Sequence, residues 1–269
     1  RDDGGEEGVH PGGYDVQGWR VLQDRQPLQF QFVQEVEGVA ALEEWQQDIL
    51  GIIRDEAYYF APQAQTKIMN EGWATYWHSK LMTEHFLESS EIVDYAEQHS
   101  GVVHMPAGGF NPYKIGVEMF KDIERRWNRG QHGPEFDRLD DIGAKGRFDD
   151  KSMKGRDKIF EVRRIYNDVN FVDEFLTQEF IDRHKMYHFR KDQQTGEIKI
   201  VSRDLARIKQ TLLYQITNMG QPFIYVVDGN YLNRGELYLA HQWSGLEVDA
   251  SKAVQVLRNL RLIWGRPCH

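Results

Sequence analysis

One stretch of the chain, residues 63–78, combines polar side chains that could do chemistry with an apolar, helical sequence pattern. Glu71 and His78 are seven residues apart, so an α-helix places both on the same side. Asn70 and Trp73 lie close to the glutamate in the sequence. A carboxylate and an imidazole on an apolar helix face need partners, because an unpaired polar group is costly to bury. We therefore expect Glu71, His78 and Asn70 to form one centre, with catalytic roles.

This pair of residues supports two different interpretations. In the first, Glu71 and His78 are ligands of Zn²⁺ or another divalent metal, because carboxylate oxygen and imidazole nitrogen are common donors, and Asn70 orients them. In the second, the two side chains form a buried charge pair that hydrogen-bonds to Asn70, Lys67 or Gln63. Such a pair would hold neighbouring helices in register without any reaction.

The candidate binding residues surround this centre. Lys67 and Thr66 lie at the helix start, where backbone N–H groups can bind an anion; a solvated first turn is the alternative. Gln63 precedes them and Trp73 follows. Glu56, near the end of the preceding helix, is close enough to the turn to reach this helix. We assign binding roles to Gln63, Lys67, Trp73 and Glu56.

The preceding helix is predicted from Leu42 to Phe60. Its apolar residues recur at three- and four-residue steps and form one stripe, which comprises Leu42, Trp45, Ile49, Ile52, Ile53, Ala57 and Phe60. Ala61 and Pro62 are expected to end it, and proline also suits the start of the next helix. The two helices should then pack as an antiparallel hairpin.

The rest of the chain changes from helical patterns to mixed ones. Helices are predicted near 90–98, 111–128, 155–166 and 168–183, with a charged surface excursion at 130–155. In the second of these, Asn111 is the expected cap and Pro112 the first helical residue. The order is then β-β-α-β-β-α, which suits one small sheet with both helices on one face. We predict an α+β fold with a tail at 1–40, a mainly helical domain at 41–183 and a small ββαββα domain at 184–269.

Three further groups could bind ligands, and each has a plainer alternative. His99 and His104 flank a loop and could add metal ligands, although loop histidines are usually only solvated. Arg163 and Arg164 could hold a carboxylate or phosphate, or lie on a helix surface. The segment Asp228-Gly-Asn230 could be a metal or phosphate loop, but its residues favour a plain β-turn.

The composition limits the function classes. The formal charge of −9 makes a general affinity for nucleic acid or anionic membranes unexpected. No apolar run approaches the roughly 18–20 residues of a membrane span. Cys268 is the single cysteine, which excludes an intrachain disulfide and a cysteine-based zinc site. The cytoplasm is the expected compartment.

Several long strings resemble the stage V sporulation protein R (SpoVR-like) family. They lie at 56–63, 66–78, 111–118, 160–168, 175–177, 221–231, 234–239 and 264–267. The string at 66–78 reads TKIMNEGWATYWH, and the one at 221–231 reads QPFIYVVDGNY. The resemblance covers about Leu42 to His269, and the first ~40 residues are not expected to match.

The resemblance implies a metal chemistry. Family members carry an upstream H-x-x-x-H pair that is absent from this chain, which is therefore expected to be a C-terminal portion. The pair Asn70-Glu71 is similar to the helix of gluzincin peptidases that supplies a glutamate ligand, and the upstream histidines would supply the other two. The family resemblance thus implies a divalent-metal hydrolase that is incomplete in this chain.

The resemblance also implies a process and partners. Family members are cytoplasmic proteins of bacteria and archaea, linked in spore formers to the spore cortex and elsewhere to stress-linked envelope physiology. Outside spore formers they are encoded beside a PrkA-type serine kinase and a von Willebrand-like protein. The alternative to an enzyme is therefore a scaffold that binds these two proteins through residues 184–269, with the Glu71 helix purely structural.

Overall fold

The computed structural model of the chain describes residues 42–105, 109–191, 196–217, 222–243 and 248–269. The tail predicted at 1–40 lies outside these ranges. Within them, no helix combines the length and the apolar character needed to cross a lipid bilayer.

The described residues are mainly helical. The helices are α1 (Glu44–Gln65), α2 (Lys67–Leu81), α3 (Ile92–Val102), α4 (Pro112–Asn128), α5 (Gly133–Asp137), α6 (Ile142–Arg147), α7 (Gly155–Ile165), α8 (Asp168–Phe175), α9 (Gln178–His184), α10 (Leu205–Ile216) and α11 (Ala250–Trp264). A π-helical turn, Met82–Phe86, follows α2. The strands are β1 (His188–Lys191), β2 (Ile198–Ser202), β3 (Phe223–Tyr231) and β4 (Glu236–Gln242). The predicted α+β class with a mainly helical part is confirmed.

The four described strands pair as two separate antiparallel sheets, β1 with β2 and β3 with β4. The predicted order β-β-α-β-β-α is present, but the single small sheet expected from it is not. The reason lies in α10, which packs against α8. Its apolar residues Ile208, Leu212 and Leu213 are buried in the helical core rather than on a shared sheet.

The chain divides into two compact units. Among the described residues, one runs from Phe60 to Gly220, and the other combines the residues up to Tyr59 with Gln221–His269. Strands β1 and β2 and helix α10 thus belong to the first unit, together with helices α2 to α9. The domain limits predicted at 40 and 184 stay a prediction.

Helix α1 does not end at Pro62 as predicted. It continues through this proline to Gln65, and the break falls at Thr66, where φ is −127° and ψ is 22°. The Thr66 hydroxyl donates a hydrogen bond of 2.7 Å to the Pro62 carbonyl. Residues 61–62 therefore do not form the turn that the antiparallel hairpin requires, and α2 packs against α4.

The contact between α2 and α4 is unusually close. Gly72 and Gly116 face each other there, and a Cβ at either position would overlap the backbone of the opposite helix. Around this crossing, aromatic side chains fill the core of the first unit; Phe120, Phe171, Phe175 and Phe180 are fully buried. Glycine at both positions lets the two backbones approach, which fixes the orientation of α2.

The start of α4 is as predicted. Asn111 caps the helix, because its side-chain oxygen accepts hydrogen bonds from the backbone N–H groups of Tyr113, at 2.9 Å, and Lys114, at 3.2 Å. Pro112 is the first helical residue. This cap places Tyr113 in the first turn of α4.

The second unit is held by the hairpin of β3 and β4 together with α11. The Trp264 indole N–H donates a hydrogen bond of 2.8 Å to the Gly235 carbonyl, and Leu237 is buried beside it. The segment Asp228-Gly-Asn230 lies in β3, at an irregularity of the strand pairing. The turn follows it and contains Leu232 and Asn233, both with a φ of 55°.

Candidate functional site

A cavity of ≈ 590 Å³ lies in the first unit, at the start of α2; we name it the α2 cavity. Its lining consists of Phe60, Gln63, Ala64, Lys67, Ile68, Asn70, Glu71, Phe110, Pro112, Asp168, Gln215 and Ile216. Four residues predicted from the sequence line it together, namely Gln63, Lys67, Asn70 and Glu71. The three- and four-residue spacing of these positions explains why they share one side.

Asp168 is the buried carboxylate of this cavity, with 3% of its surface exposed. Its two oxygens accept backbone hydrogen bonds from Ile68, at 2.8 Å, and Met69, at 2.9 Å, and the Lys67 N–H is a third donor. The first N–H groups of a helix have no partner within the helix, and the Thr66 side chain does not cap α2. Asp168 therefore caps α2 from the start of α8.

The protonation of Asp168 responds to two opposing influences. Burial raises its pKa from 3.8 to about 6, and the three backbone N–H groups lower the pKa in part. A carboxyl group that titrates this close to neutral pH in the wall of a cavity is a mark of a functional site.

Asn70 is held between two partners. Its side-chain oxygen accepts a hydrogen bond of 2.8 Å from the Arg163 guanidinium, and its NH₂ group donates to the Thr66 hydroxyl at 3.0 Å. Arg163 therefore binds an amide of its own chain, and Arg164 is exposed. The Arg163 Nε is buried and makes no hydrogen bond within the part of the chain that the structure describes.

Glu71 accepts a hydrogen bond from the phenol of Tyr113, and this carboxylate raises the pKa of the tyrosine. Tyr113 lies in the first turn of α4, next to Pro112, which itself lines the cavity. Tyr113 was not among the site residues predicted from the sequence. The predicted Asn111-Pro112 helix start was a usable signal, because it locates this residue in a first turn.

His78 lies elsewhere. It is exposed, and its Nδ1 is 3.4 Å from the hydroxyl of Tyr95 on α3, whose ring stacks on His99 at a centroid distance of 5.6 Å. Burial lowers the pKa of His99. The predicted buried Glu71–His78 pair is therefore not formed. Residues seven apart share a helix side, but they are also about 10 Å apart along its axis.

A metal ion shared by Glu71 and His78 stays a prediction. Donors of one zinc ion lie about 2.0–2.2 Å from it, so two ligands of one ion are within roughly 4 Å of each other. Across the described ranges, the structure holds no group of three or more His, Cys, Asp or Glu residues arranged for a metal.

The other two predicted residues lie apart from the cavity lining. Trp73 packs in the aromatic core, with ring centroids 5.4 Å from Phe120 and 5.0 Å from Phe160. Glu56 belongs to the other compact unit. Its binding role stays a prediction.

Comparisons with known proteins identify the family. The family model described as SpoVR like protein matches residues 24–221. The match begins within the segment that was not expected to resemble the family, and it ends before the last 48 residues. The chain is also 26% identical over 247 residues to YcgB of Escherichia coli (strain K12), described as an uncharacterized protein.

The alignment with YcgB covers 83% of this chain and 45% of YcgB, so the chain spans less than half the length of that relative. No solved structure matches the chain. The family model covers well over half of the residues, and the chain therefore belongs to the SpoVR-like protein family.

Proposed function

We propose that this chain acts in the cytoplasm, in spore cortex formation or stress-linked envelope physiology, by binding a small polar ligand in the α2 cavity. The observation that carries the proposal is the convergence of Gln63, Lys67, Asn70 and Glu71 on one cavity of ≈ 590 Å³. Cavities of about 300–1,000 Å³ with a few placed polar groups are typical of ligand sites. The process itself rests on family membership.

Asn70, Glu71 and the first turn of α2 are held in place before any ligand arrives. Arg163 fixes Asn70, Tyr113 fixes Glu71, and Asp168 fixes the first turn of α2. Such preorganisation lowers the cost of ordering side chains on binding. It supports a ligand site more than a solvated helix start.

A cavity-filling substitution tests this proposal. Ala64→Trp places a large side chain in the cavity without removing a polar group, and Ala74→Trp is the control, because Ala74 is an exposed residue of α2 outside the lining. Each variant would be expressed in a spore-forming bacterium whose own SpoVR-like gene is deleted. We expect Ala64→Trp to lose cortex formation and Ala74→Trp to keep it.

A fold control makes the outcome decisive. Circular dichroism and thermal unfolding should show that Ala64→Trp is folded, and Glu71→Gln supplies a second variant of nearly unchanged shape. Normal cortex with both cavity variants would contradict the proposal.

A second candidate is a divalent-metal hydrolase of gluzincin-like design. The Glu71 carboxylate lies in the cavity beside Asn70, which supports it as one ligand with a neighbouring orienting group. The remaining ligands would come from outside the described residues. Metal analysis of the purified protein and of Glu71→Ala tests this candidate. A metal-free wild type would count against it, and so would equal metal content in the variant.

A third candidate is the scaffold for a PrkA-type serine kinase and a von Willebrand-like protein. Large apolar side chains of the second unit are exposed, which is typical of partner-binding surfaces; they include Leu262 at 83%, Trp243 at 66% and Leu232 at 61%. Leu262→Ser with Trp243→Ser should abolish kinase pull-down. Deletion of 184–269 is unsuitable, because it removes the buried residues of α10 from the first unit.

A further inference from the structure

Two opposite charges line the α2 cavity without neutralising each other. Lys67 and Glu71 are four residues apart on α2, so their Cβ atoms are about 5–6 Å apart. Side chains at this spacing commonly form an ion pair, but none joins these two. Within the residues that the structure describes, Lys67 has no carboxylate within 4.0 Å.

The neighbouring contacts leave both charges able to meet a ligand. Glu71 accepts a hydrogen bond from Tyr113. A carboxylate has about four acceptor positions, so this bond orients it without saturating it. Asp168, the other carboxylate of the cavity, already accepts the N–H groups of Ile68 and Met69 with its two oxygens. It therefore caps α2 rather than pairing with the Lys67 ammonium.

The rest of the lining is mainly apolar or uncharged. Phe110, Pro112 and Ile216 form an apolar part of the wall, and Gln63 and Gln215 add amide groups. Amide side chains both donate and accept hydrogen bonds, as a peptide group requires. A ligand that fits this lining carries one positive end, one negative end and an apolar body.

We propose that the α2 cavity binds a small zwitterion of the amino-acid or short-peptide class. Its carboxylate meets Lys67, its ammonium group meets Glu71, and its apolar side chain lies against Phe110, Pro112 and Ile216. The inference rests on the proposed ligand-binding function of the cavity and adds the chemical class of the ligand. A cavity of ≈ 590 Å³ has room for a dipeptide.

Calorimetric titration of the full chain with L-alanyl-L-leucine tests whether the ligand is a zwitterion. The comparison ligands are the N-acetyl dipeptide, which lacks the ammonium, the dipeptide amide, which lacks the carboxylate, and the doubly capped dipeptide. Because charge-assisted hydrogen bonds are the strong ones, we expect each single cap to weaken binding about tenfold or more.

Two variants test which residue binds the carboxylate of the ligand and which binds its ammonium group. In Lys67→Met, the dipeptide and its amide should bind equally, because the carboxylate has lost its partner. In Glu71→Gln, the dipeptide and its N-acetyl form should bind equally. Lys252→Met and Glu97→Gln, which alter exposed residues outside the cavity lining, should keep the wild-type preferences.

The results distinguish a wrong ligand class from a wrong proposed function. Equal binding of free and doubly capped dipeptide overturns the zwitterion class while ligand binding by the cavity stands. The class is also overturned if no probe binds, or if both variants retain the wild-type preferences. In each of these cases the Ala64→Trp experiment decides the proposed function separately.

Discussion

The carboxylate of Asp168 accepts a hydrogen bond of 2.8 Å from the backbone N–H of Ile68, a residue 100 positions earlier in the chain. This bond joins the start of α8 to the start of α2. It sets the position of the turn that carries Lys67, Asn70 and Glu71. The geometry of the α2 cavity thus depends on a residue far from it in sequence.

Removing this cap should destabilise the fold. At pH 5, where the carboxyl is mostly protonated, we expect Asp168→Ala to lower the free energy of unfolding by about 1–3 kcal/mol, because three backbone N–H groups lose their acceptor. Urea denaturation measures the change. Asp140→Ala, at an exposed position, should change stability by less than about 0.5 kcal/mol. A loss no larger than that of this control would contradict the capping role.

The pKa of Asp168 predicts a pH dependence of stability. Its pKa in the folded chain is about 6, above the ordinary value of 3.8, so the folded state holds the proton more tightly. The stabilisation from protonation is fully present below about pH 4 and is lost as pH rises through about 6. The expected contribution is roughly 2 to 3 kcal/mol.

The difference between wild type and Asp168→Asn isolates this contribution. The unfolding free energy of the wild type, relative to that of the variant, should fall between pH 4 and pH 7. Carboxylates with lowered pKa values, such as Asp122, have the opposite sign, but they act equally in both proteins and cancel. A difference that is flat with pH, or that rises, would show that the pKa of Asp168 is not raised.

The close approach of α2 and α4 predicts sensitivity at two glycines. Gly72→Ala and Gly116→Ala each force a Cβ into the facing backbone, and overpacking of this kind typically costs about 1–3 kcal/mol or more. Gly101→Ala in α3 is the matched control, since no atom lies within 4 Å of its Cβ position. It should be neutral or stabilising by up to about 1 kcal/mol. Equal thermal stability of all three variants would refute the close contact.

The contact between Arg163 and Asn70 should appear as an energetic coupling. A double-mutant cycle with Arg163→Met and Asn70→Ala is expected to give about 1–2 kcal/mol of non-additivity in unfolding free energy, since the bond of 2.8 Å is partly buried. The same cycle on the exposed pair Lys199 and Glu197, at 3.7 Å, should give a coupling energy of less than about 0.5 kcal/mol. Additive effects at Arg163 and Asn70 would mean that the two side chains do not interact in solution.

Local sequence signals predicted part of the fold well. The start of α4 at Asn111 and Pro112 needed only neighbouring residues, because capping acts within one helical turn. Local capping also sets the limits of α11, which Asp249 caps and which ends at Trp264, before Gly265. Pro62 misled the prediction, because proline suits a first turn but here lies inside α1.

The site was also predicted in part, because local sequence signals locate neighbouring residues and not distant ones. Gln63, Lys67, Asn70 and Glu71 were predicted to lie around one centre because they are neighbours along one predicted helix, and the structure places these four at one cavity. Spacing could not supply Asp168 or Tyr113, whose contacts with α2 depend on how distant helices pack. It also overstated His78, because periodicity gives the side of a helix and not the distance along it.

If the α2 cavity is the functional site of this chain, a ligand should bind there, and NMR can map where it binds. L-alanyl-L-leucine would be added to ¹⁵N-labelled protein while the backbone amide shifts are followed. The prediction is that shifts concentrate at Lys67, Asn70 and Glu71 and are lost in Ala64→Trp. Shifts centred instead on His78 and Tyr95 would contradict it, whereas the absence of any shift would overturn only the zwitterion class of the ligand.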